Sequence, residues 1–134
     1  MLDRDSLFIW FMKNEKELYE SMLNTSHNIS TEEYNIYHAE GSIISHTLLV
    51  MSYFEYKKEK YGFDEYITLL TSALLHDTGK PECIEEMPAN ETKPRRYSFK
   101  NHEGVSSFIS IGILKKLQKY FPEIYTEEII ENIM

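Results

Sequence analysis

Apolar residues return at three- and four-residue steps through most of this chain, the mark of helices with one buried face. Over residues 4–23, Leu7, Phe8, Phe11, Leu18, Met22 and Leu23 trace such a face and predict a first helix. Asn24-Thr25-Ser26-His27-Asn28 interrupts it with turn formers. Residues 29–41 have no regular period, although Ser30-Thr31-Glu32-Glu33 has the order of a capping box and predicts one short helical turn. A second helix is expected over residues 42–61, with Ile43, His46, Val50 and Tyr53 on its apolar face and a charged end, Glu55 to Lys60, emerging into water. Asp64 reads as the N-cap of a third helix that ends at His76-Asp77. Residues 82–100 are polar, carry Pro88, Asn90 and Pro94, and predict a loop over one end of the molecule. Asn101 caps a fourth helix to about Phe121, with His102, Val105, Ile109 and Ile113 along one face. Pro122 ends it, and Thr126 starts a last helix over residues 127–134. No alternating run is long enough to demand a sheet, so the expected fold class is an all-α bundle.

The third helix ends in unusual chemistry. The stripe Ile67, Leu70, Leu74 is continued by Asp77, and the stripe Leu69, Ala73 by His76. A carboxylate on a core-facing stripe is costly unless a cation or hydrogen bonds compensate it. The negative end of the helix dipole favours a cation at the same place. Gly79 and Pro81 then stand where a C-cap and a helix breaker are expected. His46 and His102 sit near the ends of their own helices on inward faces, and Gly41, Gly79 and Gly104 lie beside the group in sequence, where glycine allows a close backbone approach. Imidazole and carboxylate ligands suit Fe, Mn, Co, Ni or Zn. Lys80, Arg95, Arg96 and Lys100 are available to complete a phosphate pocket.

Each feature also has a plainer reading. A single buried histidine is usually a hydrogen-bonded core residue, and a His–Asp pair can be structural. The basic residues between 93 and 100 are consistent with a solvated loop. His27, in a turn without apolar periodicity, reads as surface, and Cys83 as structural or incidental.

Composition narrows the classes. At 134 residues the chain is one domain able to bury a core, with 42% hydrophobic and 27% charged residues. A net charge of -8 argues against a duplex-DNA binder but not against a small phosphate ester held by a metal. One cysteine excludes a disulfide framework or a multi-cysteine zinc site and points to a reducing, cytoplasmic location. The apolar run from Leu7 to Met12 is too short to span a membrane, lacks a signal peptide's basic flank and is expected to be core.

The doublet inside Leu-Leu-His76-Asp77-Thr-Gly-Lys80-Pro, the isolated His46 and the helical context resemble the HD superfamily of metal-dependent phosphohydrolases. Tyr37-His38-Ala39-Glu40-Gly41, Ser45-His46-Thr47-Leu48 and Phe99-Lys100-Asn101-His102-Glu103-Gly104 are further similar to the HD modules of two RNA-processing groups. One is the bacterial CCA-adding tRNA nucleotidyltransferases, whose HD module hydrolyses phosphoesters including 2′,3′-cyclic phosphates. The other comprises bacterial and phage proteins that join an HD module to a polynucleotide kinase for RNA end healing. The resemblance covers about residues 34–121 and implies an HD-domain helical bundle.

The resemblance also implies one or two divalent ions (Mn, Fe, Co, Ni, Zn or Mg), with His46, His76 and Asp77 as ligands of the first and Asp77 bridging to the second. His102 is then a ligand of the second ion or a group touching the scissile phosphate. His38 and Glu40 line the pocket, and Lys80 steadies a phosphate oxygen. The implied activity is hydrolysis of a nucleotide or RNA-end phosphoester (a 2′,3′-cyclic phosphate or a phosphomonoester) by a metal-activated water, with Asp77, Lys80 and His102 as the catalytic groups. The alternatives are a degenerate HD module that binds nucleotide, RNA end or protein without turnover, and a 5′-nucleotidase or alarmone hydrolase of the same superfamily. The superfamily pattern closes with a later aspartate, whereas this sequence has no aspartate after Asp77 and no histidine after His102. Three accounts fit. The chain is a piece of a longer protein carrying the last ligand helix and a kinase or nucleotidyltransferase domain; it is a short form with an incomplete site; or Glu128 or Glu131 substitutes.

Overall fold

The computed structural model describes residues 2–27 and 41–134. The capping turn expected near Ser30 and the pocket-lining roles expected of His38 and Glu40 fall outside the described residues. The elements in chain order are α1 (Arg4–Asn14), α2 (Lys16–Leu23), α3 (Ile43–Tyr56), a 3-10 turn (Lys58–Lys60), α4 (Phe63–Leu75), the single-turn α5 (Lys80–Cys83), strands β1 (Glu85–Met87) and β2 (Arg96–Ser98), α6 (His102–Tyr120) and α7 (Glu127–Ile133). The fold is the expected all-α bundle with a small hairpin added.

Helix α4 is central because it is apolar on more than one face. Tyr66, Ile67, Leu70, Thr71, Ala73, Leu74 and Leu75 are all buried, and α1, α3, α6 and α7 pack around it. Leu7, Trp10 and Phe11 from α1, Ile43 and Met51 from α3, and Ile113, Leu114 and Leu117 from α6 join it in one core. Where α7 approaches, the wholly buried Tyr125 and Thr71 share a hydroxyl–hydroxyl bond of 2.8 Å.

Several boundaries differ from the sequence expectation. The helix expected over residues 4–23 breaks at Glu15, whose backbone leaves helical geometry at φ -128°, ψ 50°. The break could not be read from the pattern, because Leu7, Phe11, Leu18 and Met22 stay in phase across it. Glu15 is tied instead by a long-range ion pair to Lys116 on α6. Helix α3 stops at Tyr56, and its charged end is not simply solvated. Glu55 accepts from the Tyr66 hydroxyl at 2.6 Å and the Arg4 amide at 3.0 Å, joining α1, α3 and α4. Gly62, not Asp64, is the N-cap of α4, which leaves Asp64 in the first turn facing the positive dipole end.

Two buried faces are rotated from those expected. On α3 the buried residues are Ile43, Ile44, Thr47 and Met51, while Tyr53 is 54% exposed. A helix this rich in apolar residues has no single stripe by which to choose its face. On α6 the buried residues are Ser106, Ser110, Ile113, Leu114 and Leu117, so two serines occupy core positions ahead of the apolar stretch. Ser106 permits a close approach from Gly79.

The expected loop over residues 82–100 contains an antiparallel hairpin that pairs Glu85 with Ser98, Glu86 with Tyr97 and Met87 with Arg96. Strands of three residues are too short to show alternation. Between them Asn90 Oδ1 accepts from the amides of Thr92 and Lys93, at 2.9 and 2.8 Å, which organises the connection as an Asx turn.

Candidate metal centre

Four elements meet at the end of α4. Helix α4 stops at Leu75, and four turn residues carry the chain into α5 at Lys80. Gly79 is not the left-handed C-cap expected of it, since its φ of -84° is right-handed. Glycine is needed there for space. A Cβ would lie 2.6 Å from the Ser106 amide nitrogen and 2.8 Å from the His102 carbonyl oxygen. The Gly79 N–H donates to Ser106 Oγ at 2.8 Å, docking the turn against the first turns of α6. No such crowding occurs at Gly104, where nothing lies within 4 Å of a Cβ position. Pro81 does not break the chain after the turn; it stands second in α5, where a preset φ suits a first helical turn.

This turn holds Asp77 at 2% exposure. Its Oδ2 lies 3.0 Å from His76 Nε2, 3.8 Å from His46 Nε2 and 3.3 Å from Lys80 Nζ. Its Oδ1 lies 3.4 Å from His102 Nε2. None of these approaches gives Oδ2 a well-formed hydrogen bond, so a buried carboxylate oxygen remains unsatisfied among the described residues. Burial pushes the Asp77 carboxyl up, but the His76 ring and the Lys80 ammonium outweigh it and hold the pKa at about 2. Asp77 raises His76 in turn, more than burial lowers it.

The histidines do not all face inward as the stripes implied. The His46 and His76 side chains are 45% and 40% exposed, and His102 20%. They rim an open site with Asp77 at its floor. The orientation of two rings is set from behind, because His76 Nδ1 donates to the Ala73 carbonyl at 2.6 Å and His102 Nδ1 to the Phe99 carbonyl at 3.0 Å. A carbonyl only accepts, so the proton of each neutral ring is on Nδ1 and the Nε2 lone pair points toward Asp77. Lone pairs converging on an ionised carboxylate repel unless a proton or a metal cation lies between them, and the raised pKa of His76 reflects the first of these. One ligand atom each from His46, His76 and Asp77 lies within 4.8 Å of the others, and this donor set fits a divalent ion. His102 stands outside that trio, on the second carboxylate oxygen.

His27 is the residue that the sequence reading placed on the surface, and the structure brings it into the site. Its Nε2 is 3.0 Å from Lys80 Nζ, and its ring meets His46 and Phe99 edge-on, with centroids 5.2 and 5.7 Å apart. Burial, then the positive charge of Lys80, lowers its pKa to about 4, so the ring is neutral at pH 7. No periodicity marks His27; an antiparallel bridge between Ser26 and Ser42 brings it to the start of α3.

The basic cluster is only loosely connected to this centre. Arg95 pairs with Glu86 across the hairpin at 2.9 Å, and Arg96 Nη1 donates to the Pro94 carbonyl at 3.4 Å. Lys100 is exposed. Among the described residues no hydrogen bond or ion pair links these three to Asp77 or the histidines. Glu128 and Glu131 are exposed on α7 and do not join the ligand trio.

The HD domain family model matches residues 43–134, which takes in α3 through α7 and all four of His46, His76, Asp77 and His102. The chain therefore belongs to the HD domain family, a superfamily of metal-dependent phosphohydrolases. No curated protein and no solved structure shows a match. Among the described residues no helix is long and apolar enough to cross a membrane.

Proposed function

We propose that this protein is a metal-dependent phosphohydrolase acting on a nucleotide or RNA-end phosphoester. The observation that carries the proposal is the buried, unsatisfied Oδ2 of Asp77, approached by the Nε2 atoms of His76 and His46. His46, His76 and Asp77 would hold the ion, with His102 on the far carboxylate oxygen placed for a second ion or for the scissile phosphate. A divalent ion held there supplies Lewis acidity and lowers the pKa of a water. A carboxyl held at a pKa of about 2 is a weak base, so Asp77 acts by holding and orienting groups more than by storing a proton. Lys80, 15% exposed beside it, offsets charge that builds on the phosphoryl oxygens.

The RNA-end assignment is supported by the similarity of residues 37–41, 45–48 and 99–104 to HD modules that process RNA ends. A panel of 2′,3′-cyclic nucleotides, 5′-monophosphates and tetraphosphate alarmones, assayed with added manganese, tests it. Preference for the cyclic nucleotides is expected, and selective hydrolysis of monophosphates or alarmones moves the protein to another branch of the superfamily. The assignment as a hydrolase is tested separately with His76→Ala and Asp77→Ala. Each should weaken Mn²⁺ binding at least about a hundredfold and abolish hydrolysis of bis(p-nitrophenyl) phosphate. Unchanged metal content and turnover in either variant refutes the centre.

A second reading, a module that binds a nucleotide without turnover, is favoured by one observation: the ligand trio has a single carboxylate, and Glu128 and Glu131 stand apart from it. Retained nucleotide binding in wild-type protein that takes up no metal and hydrolyses nothing would establish that reading.

A further inference from the structure

Lys80 has two acceptors of different kinds, Asp77 Oδ2 at 3.3 Å and His27 Nε2 at 3.0 Å, and its ammonium lies 5.4 Å over the Phe99 ring. An ammonium only donates, so His27 must present a lone pair at Nε2. The His27 backbone is anchored for this. Its N–H donates to the Gly41 carbonyl at 2.5 Å, and the Ile43 N–H donates to the Thr25 carbonyl at 2.9 Å. The ring is then packed by edge contacts with His46 and Phe99.

We propose that His27 is a positioning residue that holds Lys80 ready for a phosphoryl oxygen. A lysine on a flexible four-carbon stem, held by a carboxylate at 3.3 Å alone, would otherwise be steadied from one side only and swing into solvent. With a second acceptor opposite, the ammonium is held between imidazole and carboxylate, hydrogen-bonded to the one and ion-paired with the other. An ammonium has three N–H donors, and the one given to His27 leaves donors for an anionic substrate. His27 precedes the residues matched by the HD family model, so this chain supplies the support from outside that region. The inference rests on the hydrolase reading for its purpose but not for its geometry.

The test compares wild type with His27→Phe, which keeps the ring contacts but not the acceptor, and with His27→Gln, which restores an acceptor. The first readout needs no turnover: the rate at which Lys80 is acetylated by an N-hydroxysuccinimide ester, followed by peptide mass spectrometry, alongside Mn²⁺ affinity. Lys80 should react several-fold faster in His27→Phe and near the wild-type rate in His27→Gln, with Mn²⁺ affinity the same in all three. The second readout is hydrolysis of bis(p-nitrophenyl) phosphate with Mn²⁺. His27→Phe should lower kcat/KM roughly fivefold to tenfold, and His27→Gln should recover most of it. In a Lys80→Ala background the same change should have no further effect. Should His27→Phe not fold, His27→Ala is read by the same measurements. Equal Lys80 labelling with and without the acceptor overturns the pairing, and a loss of Mn²⁺ affinity in both His27 variants overturns it by making His27 a ligand. Altered labelling in a protein that takes up no metal and hydrolyses nothing leaves the pairing intact and refutes the hydrolase reading.

Discussion

At Gly79 the chain turns from α4 into α5 with ordinary right-handed dihedrals, yet no larger residue fits between it and α6. The atoms a Cβ would meet are the backbone of Ser106 and the carbonyl of His102, at 2.6 and 2.8 Å, and backbone cannot swing aside. Gly79→Ala should therefore cost about 1–3 kcal/mol, the usual range for overpacking, measured by urea unfolding with EDTA present. A change below about 0.5 kcal/mol would show that the turn and α6 separate freely. Ser106→Ala, which only removes the acceptor of the Gly79 N–H, should cost less, about 1 kcal/mol. The glycine was visible in the sequence as a helix stop. Its actual constraint, contact with a helix that begins more than twenty residues later, was not. The same holds for His27, whose partners lie on α3, at the start of α5 and in the segment leading into α6.

At the scale of elements, α7 is held to α4 by Ile129 and by the hydroxyl pair of Tyr125 and Thr71. Tyr125→Phe strips Thr71 of its partner in a fully buried site and should destabilise the protein by about 1–2 kcal/mol. The double change Thr71→Val with Tyr125→Phe removes both polar groups and should recover part of that loss. A double variant worse by the full sum of the two single changes would contradict this account. The helices themselves were legible, because long apolar periodicity survives without knowledge of neighbours. The break at Glu15, the rotated faces of α3 and α6 and the hairpin were not. Each depends on what packs opposite: Lys116 for Glu15, α4 for the two faces, and a partner strand for segments of three residues.

For the molecule as a whole, shifted groups set a pH window for stability in the metal-free state. Asp77 and Glu55 both have folded pKa values below the ordinary ones. For Glu55, burial pushes up but bonds from Tyr66, Arg4 and Lys58 prevail. A depressed carboxyl stabilises the fold above its unfolded pKa, near 4, and that contribution is lost as pH falls through the folded value. His27, lowered to about 4 from 6.5, likewise contributes above pH 6.5 and loses its share as the solution is acidified from there. His76 is raised and works in the opposite sense, stabilising below pH 6.5 and fading as pH rises. Tyr66 and Tyr125 are raised, each chiefly by burial, so their contribution is present below pH 10 and lost above it. Thermal unfolding in EDTA should show loss of stability that starts as pH falls below about 6.5 and deepens below about pH 4, with a second loss above about pH 10 that Tyr125→Phe should flatten. An alkaline limb unchanged by that substitution would remove Tyr125 as its source.

The sequence by itself determined the class of fold and the chemical character of the centre. A carboxylate and a histidine placed at the end of an apolar helix are visible in one dimension, because helical periodicity ties spacing to direction. It also carried His46 and His102 as companions, through the apolar residues that share their helices. Only the tertiary structure decided how these groups meet: Asp77 as floor, exposed imidazoles as rim, Nε2 atoms directed by carbonyls behind two of the rings, and His27 set against Lys80. Those relations join residues far apart in the chain through backbone bonds and close packing, and no local pattern records which distant atom will fill a given space.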